Sequence, residues 1–248
     1  MKHLFSPEGT AALAAILRRD PLLAFDFDGT LAPIVDHPDD ARVPEPLAAV
    51  LGEAAERWPV AIVTGRDIAD VRGRLGFAPR WIVGNHGAED PEVVVPPGAA
   101  TALRTLRLRI AEKGRPLAAA GVEVETKRLS LALHYRRAPD VGAALRAIEE
   151  LLQGLDPELH RFGGKCVVNV AAIGLPDKGE ALWSLVRRSG AGAAFFVGDD
   201  INDEAVFRRA VPPWLTLRIG RDAPESTAMF GLDSQEELAL ALQRLMAP

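Results

Sequence analysis

The chain has 248 residues, 48% hydrophobic and 25% charged, with Lys+Arg 29 against Asp+Glu 34 and a formal net charge of -5. That composition is ordinary for a soluble globular protein and leaves room for one large domain or two smaller ones. Mild acidity gives no support to nucleic-acid or anionic-membrane binding, and no stretch approaches the roughly 18 uninterrupted apolar residues of a membrane span. The single cysteine, Cys166, allows no internal disulfide, which fits a reducing cytoplasm.

The N-terminus, Met1 to Glu8, lacks the long apolar core of a signal peptide. Ser6 to Arg19 reads as a helix, capped by Ser6 with Pro7 in the first turn. The apolar run that starts at Pro21 predicts a buried strand to about residue 27. A proline-rich irregular loop follows at 32–44, then an amphipathic helix from Pro46 to Arg57. Val60-Ala61-Ile62-Val63 and Trp81-Ile82-Val83 are two more buried strands, with a helix starting near Asp67 between them. Strands apolar on both faces, alternating with helices, predict a parallel sheet covered on each side.

Pro91, Pro96, Pro97 and Gly98 then break the pattern. Helices at 99–112 and 141–152 and alternating strands at 121–127 and 130–136 predict an antiparallel α+β insert over about 98–172. Arg161 to Lys165 looks like a turn, and Cys166 to Val170 a strand with Cys166 buried in it. The first pattern resumes with a helix opening at Asp177-Lys178-Gly179 and a buried strand at Ala193 to Val197. A helix at 204–210, a last strand at Trp214 to Ile219 and a closing helix from Ser234 to Met246 complete the chain, with Ser234 and Glu237 forming a capping box. The expected fold class is α/β: a doubly wound, mostly parallel Rossmann-like core from 1–97 and 173–248, with a small α+β cap at 98–172.

The chemistry-bearing groups sit at the strands' carboxyl ends. Asp26 and Asp28 lie two positions apart, where period-2 geometry points both side chains the same way. Gly29 permits a sharp bend and Thr30 adds a hydroxyl. Asp199, Asp200 and Asp203 follow the 193–197 strand. An all-oxygen set with no His or Cys spacing suits a hard cation, Mg²⁺ before Zn²⁺. Thr64, beside Gly65 and Arg66 near a helix start, suits an anion. Lys178 before a helix calls for an anionic partner. In an open α/β sheet these groups should converge on one crevice outside the strand ends.

Phe25-Asp26-Phe27-Asp28-Gly29-Thr30, Val63-Thr64-Gly65-Arg66, Lys178-Gly179-Glu180 and Gly198-Asp199-Asp200-Ile201-Asn202-Asp203-Glu204 resemble the four ordered motifs of the haloacid-dehalogenase superfamily. The resemblance implies Asp26 as nucleophile, forming an aspartyl-phosphate, and Asp28 as general acid and then base. It implies Thr64 and Lys178 as holders of the phosphate. Mg²⁺ would be bound by Asp26, the Asp28 carbonyl and Asp199, supported by Asp200 and Asp203.

A closer resemblance is to trehalose-6-phosphate phosphatases. It is carried by Asp28 to Ile34 with His37-Pro38-Asp39, Gly84-Asn85-His86-Gly87-Ala88-Glu89, Glu125-Thr126-Lys127, Leu133-His134-Tyr135-Arg136 and Gly164 to Val168. It implies a cap that excludes water and selects a sugar phosphate, with Glu125 and Lys127 on sugar hydroxyls and Arg136 and His134 helping to close it. Gly65, Arg66, His86 and Asn169 join the expected substrate contacts. Asn169-Val170-Ala171-Ala172 departs from that family, which usually places a Glu, a basic residue and Pro here, and Asn169 offers only a neutral donor and acceptor. A sucrose- or mannosylglycerate-type phosphate therefore stands beside trehalose 6-phosphate, and a non-catalytic sugar-phosphate sensor is the reading from another class. The expected setting is the cytoplasm, the expected partner a small sugar phosphate, with no nucleic acid and no membrane. The expected state is a monomer.

Overall fold

The structure is a computed structural model that describes residues 1–246. In chain order the elements are α1 (Pro7–Leu17), β1 (Pro21–Phe25), α2 (Glu45–Arg57), β2 (Val60–Val63), α3 (Ile68–Arg72) and β3 (Trp81–Val83). Next come α4 (Pro97–Lys113), α5 (Arg115–Ala119), β4 (Glu123–Thr126), β5 (Ser130–His134), α6 (Val141–Leu152), β6 (Leu159–Gly164) and β7 (Val167–Ala172). The chain continues through α7 (Lys178–Ser189), β8 (Ala193–Gly198), α8 (Glu204–Arg209), β9 (Leu215–Ile219), β10 (Phe230–Leu232) and α9 (Gln235–Met246). They divide into two units, Met1–Asp90 with the residues from Pro176 onward, and Pro91–Leu175.

The first unit holds a fully parallel sheet in the order β10-β9-β8-β1-β2-β3. Alternation along its strands fills two cores. Leu23, Phe25, Val60, Ile62, Phe195, Val197 and Leu217 pack with residues of α1, α2 and α9. Leu22, Ala24, Ala61, Val63, Ala194 and Phe196 pack on the other face with residues of α7 and α8. Both faces are therefore dry, which is why the strands read as unbroken apolar runs. The strand order reverses between β1 and β8, and a crevice opens outside the carboxyl ends at such a switch point.

The second unit is an antiparallel sheet in the order β4-β5-β7-β6. Leu131, Leu133, Val170, Ala172 and Leu159 pack with residues of α4, α5 and α6 to form its core. On the opposite face, cross-strand register sets Glu125, Ala132, Asn169 and Phe162 in one row.

Several local expectations need correction. Strand β1 ends at Phe25 rather than near residue 27. Residues 161–164, expected as a turn, belong to β6, and the turn is the two-residue Lys165-Cys166 link between the paired Gly164 and Val167. Cys166 sits there at φ +62, half-buried, so it is no core strand residue. Strand β9 is not the last, because β10 follows and pairs parallel to it. Strand β4 was expected to have one wet face, yet all four of its residues are exposed, since it is a sheet edge. The capping box at Ser234 gives way to another arrangement: Glu237 accepts from the Asp233 N–H at 2.7 Å and lies 2.9 Å from His3 Nε2.

Candidate active site

Asp26 and Asp199 meet because β1 and β8 are neighbours. The Asp26 N–H donates to the Val197 carbonyl at 2.9 Å, and Asp199 follows directly after β8. Alternation puts Asp26 on the face covered by α7, whose first residue is Lys178. Asp177 begins that helix with a reciprocal capping box to Glu180, which fixes where the Lys178 stem leaves the backbone. The Lys178 ammonium lies 2.9 Å from Asp26 Oδ1 and 2.8 Å from Asp203 Oδ1. Asp203 Oδ2 accepts the Asp199 and Asp200 N–H groups, each at 2.9 Å. Both oxygens of Asp203 are thus in use, and it orients Lys178 and the turn after β8.

Carboxylate oxygens of Asp26, Asp199 and Asp203 all lie within 4.8 Å of one another, and all three residues are buried. Three acids around one ammonium leave an excess of negative charge. Burial and then the Asp203 and Asp199 charges push the Asp26 pKa well up, against the pull of Lys178. Burial alone would lower the Lys178 pKa, but Asp203 and Asp26 outweigh it and raise it, so Lys178 stays charged. An oxygen-only, over-negative donor set fits a hard divalent cation such as Mg²⁺. Asp26 and Asp199 are the clustered carboxylates that would hold it. Asp200 is a helper: its Oδ2 accepts from Asn202 Nδ2 at 2.9 Å, and its side chain caps the turn at Asp203.

The two acids of the opening stretch have different partners, Lys178 for Asp26 and Arg66 for Asp28, and both lie beyond the end of β1 at Phe25. The Leu31 and Ala32 N–H groups fold back onto the Phe27 carbonyl, with Gly29 at φ +77. Asp28 is thereby turned toward Arg66, which donates Nε to Oδ2 at 2.8 Å and a terminal N–H to Oδ1 at 2.7 Å. Gly29 has a second use. A Cβ there would sit 2.1 Å from Asp199 Oδ2, so only glycine leaves that carboxylate its place.

Thr64 is fully buried at the end of β2, and its Oγ1 accepts the Arg66 N–H at 3.1 Å, leaving the hydroxyl proton to donate elsewhere. His86 reaches the same region through a loop in which Asn85 and His86 both take left-handed backbone, at φ +49 and +57. Such strain persists only where surrounding bonds enforce it. Here the Asn85 N–H donates to the Arg66 carbonyl and the His86 N–H to the Thr64 carbonyl, both at 2.9 Å. The imidazole lies against Gly65, where a Cβ would come within 2.4 Å of the ring.

In the second unit, Glu125 Oε2 is 2.8 Å from His134 Nε2 and 3.6 Å from the buried Lys127 ammonium. Asn169 is only 3% exposed, and its Nδ2 has no hydrogen-bond partner among the described residues. Arg136 donates to the Lys165 carbonyl at 3.2 Å and so steadies the β6–β7 turn.

The sequence reading overlooked the groups behind Arg66. Asp70 accepts from Arg66 at 2.8 Å and from Arg74, and Arg74 also holds Asp39. The spacing of Arg66, Asp70 and Arg74 by four was the available signal.

A family model described as trehalose-phosphatase matches residues 24–213. The trehalose-phosphate phosphatase of Mycolicibacterium paratuberculosis is 36% identical, over 96% of this chain and 66% of its own length. That of Mycobacterium tuberculosis is 34% identical, over 96% and 65%. The chain thus spans just under two thirds of the length of these curated relatives. The C-terminal domain of the C. albicans trehalose-6-phosphate phosphatase superposes with a TM-score of 0.77 at 21% identity, covering 95% of each chain, a likeness of fold. With the family model covering most of the chain and the motif acids gathered at one switch point, the chain belongs to the trehalose-phosphatase family.

Proposed function

We propose that the protein is a Mg²⁺-dependent phosphatase that cleaves trehalose 6-phosphate to trehalose and phosphate through an aspartyl-phosphate. The observation that carries this reading is the Lys178 ammonium held between Asp26 and Asp203, with Asp199 in the same cluster. Lys178 engages Asp26 Oδ1, so Oδ2 is the oxygen that attacks phosphorus. The bond from Asp26 Oδ2 to phosphorus forms as the bond from phosphorus to the sugar's O6 breaks. Asp28 gives its proton to that leaving oxygen, then takes one from the water that splits the aspartyl-phosphate. Lys178 and the Thr64 hydroxyl stabilise charge on the phosphoryl oxygens. A bound Mg²⁺ would screen the repulsion between carboxylate and phosphate dianion. The small second unit selects the sugar, with Glu125, Lys127 and Asn169 on its hydroxyls.

One observation favours a second substrate within the same chemistry. Asn169 Nδ2, buried and unpartnered among the described residues, offers a neutral donor to a hydroxyl, which another glycosyl phosphate of the sucrose or mannosylglycerate type would also use. A panel of sugar phosphates assayed with Mg²⁺, with EDTA and with Asp26→Asn tests the reading. Trehalose 6-phosphate should be the best substrate, EDTA should stop release, and Asp26→Asn should lower kcat by more than about 10³-fold, the loss of a covalent nucleophile. Trehalose 6-phosphate no better than glucose 6-phosphate removes the narrow substrate. No release from any member removes the phosphatase reading and leaves the sensor.

A further inference from the structure

Arg66 is only 8% exposed, and its guanidinium is held from three sides. One edge, Nε with a terminal N–H, chelates the Asp28 carboxylate in the two-bond geometry described above. The other terminal nitrogen donates to Asp70 Oδ2 at 2.8 Å, while the nitrogen that holds Asp28 Oδ1 also donates to the Pro38 carbonyl at 2.9 Å. The guanidinium also lies over the Phe27 ring, 5.1 Å from its centroid. Asp70 is itself braced by Arg74, which anchors the Pro38 and Asp39 carbonyls. A planar fork fixed by a carboxylate, a carbonyl and a ring has little freedom of its own.

Two roles for Arg66 compete for the same edge. A substrate contact needs that edge to meet a phosphate oxygen. In the structure it is filled by Asp28. The backbone of Arg66 meanwhile supports Thr64, through the bond from its N–H to the threonine hydroxyl oxygen. One residue thus ties the hydroxyl expected on the phosphate to the carboxylate expected on the leaving oxygen. The Asp28 side chain remains 41% exposed, so it stays open to a substrate while Arg66 holds both of its oxygens.

We infer that Arg66 is a positioning residue for Asp28: its fork sets the plane of that carboxylate for proton exchange with the leaving oxygen, and it does not itself bind the phosphate. The inference rests on the phosphatase reading above. Asp70 and Arg74 extend the same support to the loop after Asp28.

The test separates acid catalysis from phosphate binding by the leaving group. Departure of a sugar alkoxide needs a proton, whereas p-nitrophenolate leaves without one. The quantity to follow is kcat/KM, which covers the steps through transfer to Asp26 and excludes the later hydrolysis. Arg66→Met should lower kcat/KM for trehalose 6-phosphate about 10²-fold, in the range of a lost general acid, and that for p-nitrophenyl phosphate less than about threefold. Asp28→Asn should show the same contrast, and the double variant should be no worse than Asp28→Asn alone. Arg66→Lys, which keeps charge but not the fork, should recover only part of the loss. Equal losses on both substrates, or additive effects in the double variant, overturn the inference and return Arg66 to the phosphate. If Arg66→Met does not fold, Asp70→Asn carries the test. It loosens one anchor and should give a smaller loss selective for the sugar phosphate, and an equal loss on both substrates again overturns it. A wild-type protein that releases phosphate from neither compound overturns the phosphatase reading itself, a result distinct from these.

Discussion

Gly29 decides where the Asp199 carboxylate sits. Its own φ of +77 is costly for any side chain, and an added Cβ would occupy the space of Asp199 Oδ2. Gly29→Ala should therefore displace Asp199 while leaving Asp26 and Lys178 in place, and lower kcat about 10²-fold, as misplacement of a reacting group by roughly 1 Å does. Mg²⁺ affinity, read by titrating activity against the ion, should weaken in parallel. Unchanged activity in a folded Gly29→Ala protein would mean that Asp199 is not needed where it lies. Asp26, Lys178 and Asp199 could be read from sequence because each stands at the end of an apolar run or the start of a helix, where side-chain direction follows from the element. The partner of Asp28 could not, because the bend at Gly29 replaces strand alternation there. Arg66 is 38 residues away, and only the packing of β2 beside β1 brings it close.

Strands buried on both faces announced themselves, whereas two edge strands, β6 and β10, did not. Strands β6 and β10 each flank one neighbour only, so neither shows the apolar run of β1 or β8. The segment leading into β10 is held by side chains instead. Glu204, the first residue of α8, is 5% exposed and accepts from the Ser226 hydroxyl at 2.6 Å and from the Thr227 N–H and hydroxyl at 3.0 and 2.8 Å. Burial pushes the Glu204 pKa up, but those bonds and Arg218 push it down by more, so the folded protein holds Glu204 below its ordinary range. A depressed folded pKa stabilises the protein above the unfolded value, near 4.5, and that contribution is lost as pH falls through the folded value. Glu204→Gln should cost about 2 kcal/mol at pH 7, the scale of hydrogen bonds to a charged group. For a chain of this size that lowers Tm by roughly 4–8 °C. The gap between wild type and variant should then close below pH 4.5 as wild-type Glu204 protonates. A gap that stays constant down to pH 3 would show that charge plays no part in the clasp.

On the scale of the molecule, the residues that would carry the chemistry all lie in the unit with the parallel sheet, and those proposed to choose the sugar lie in the unit with the antiparallel sheet. The parallel unit was legible because its acids, its strand order and its helix starts constrain one another. The other unit was legible as an insert, through the breakers near Pro91 and the change to alternating strands, but not in its chemistry. A row such as Glu125, Ala132, Asn169 and Phe162 is a product of register between strands far apart in sequence. In that row the small Ala132 stands between Glu125 and Asn169, which lie about 10 Å apart at ordinary strand spacing. That is enough to contact different hydroxyls of one sugar ring. If selection is separable from chemistry, the two units respond differently to mutation. Asn169→Ala and Glu125→Gln should each lower the ratio of kcat/KM for trehalose 6-phosphate over p-nitrophenyl phosphate about tenfold, the worth of one hydrogen bond to a hydroxyl. Asp26→Asn should abolish turnover of both. Asn169→Glu restores the carboxylate that the family usually carries, so it decides whether the neutral amide tunes the substrate: the ratio should rise for trehalose 6-phosphate if the amide is a compromise and fall if it serves a different glycosyl phosphate. Cap variants that lower both substrates in equal proportion would place these residues in the chemistry and remove the division of labour.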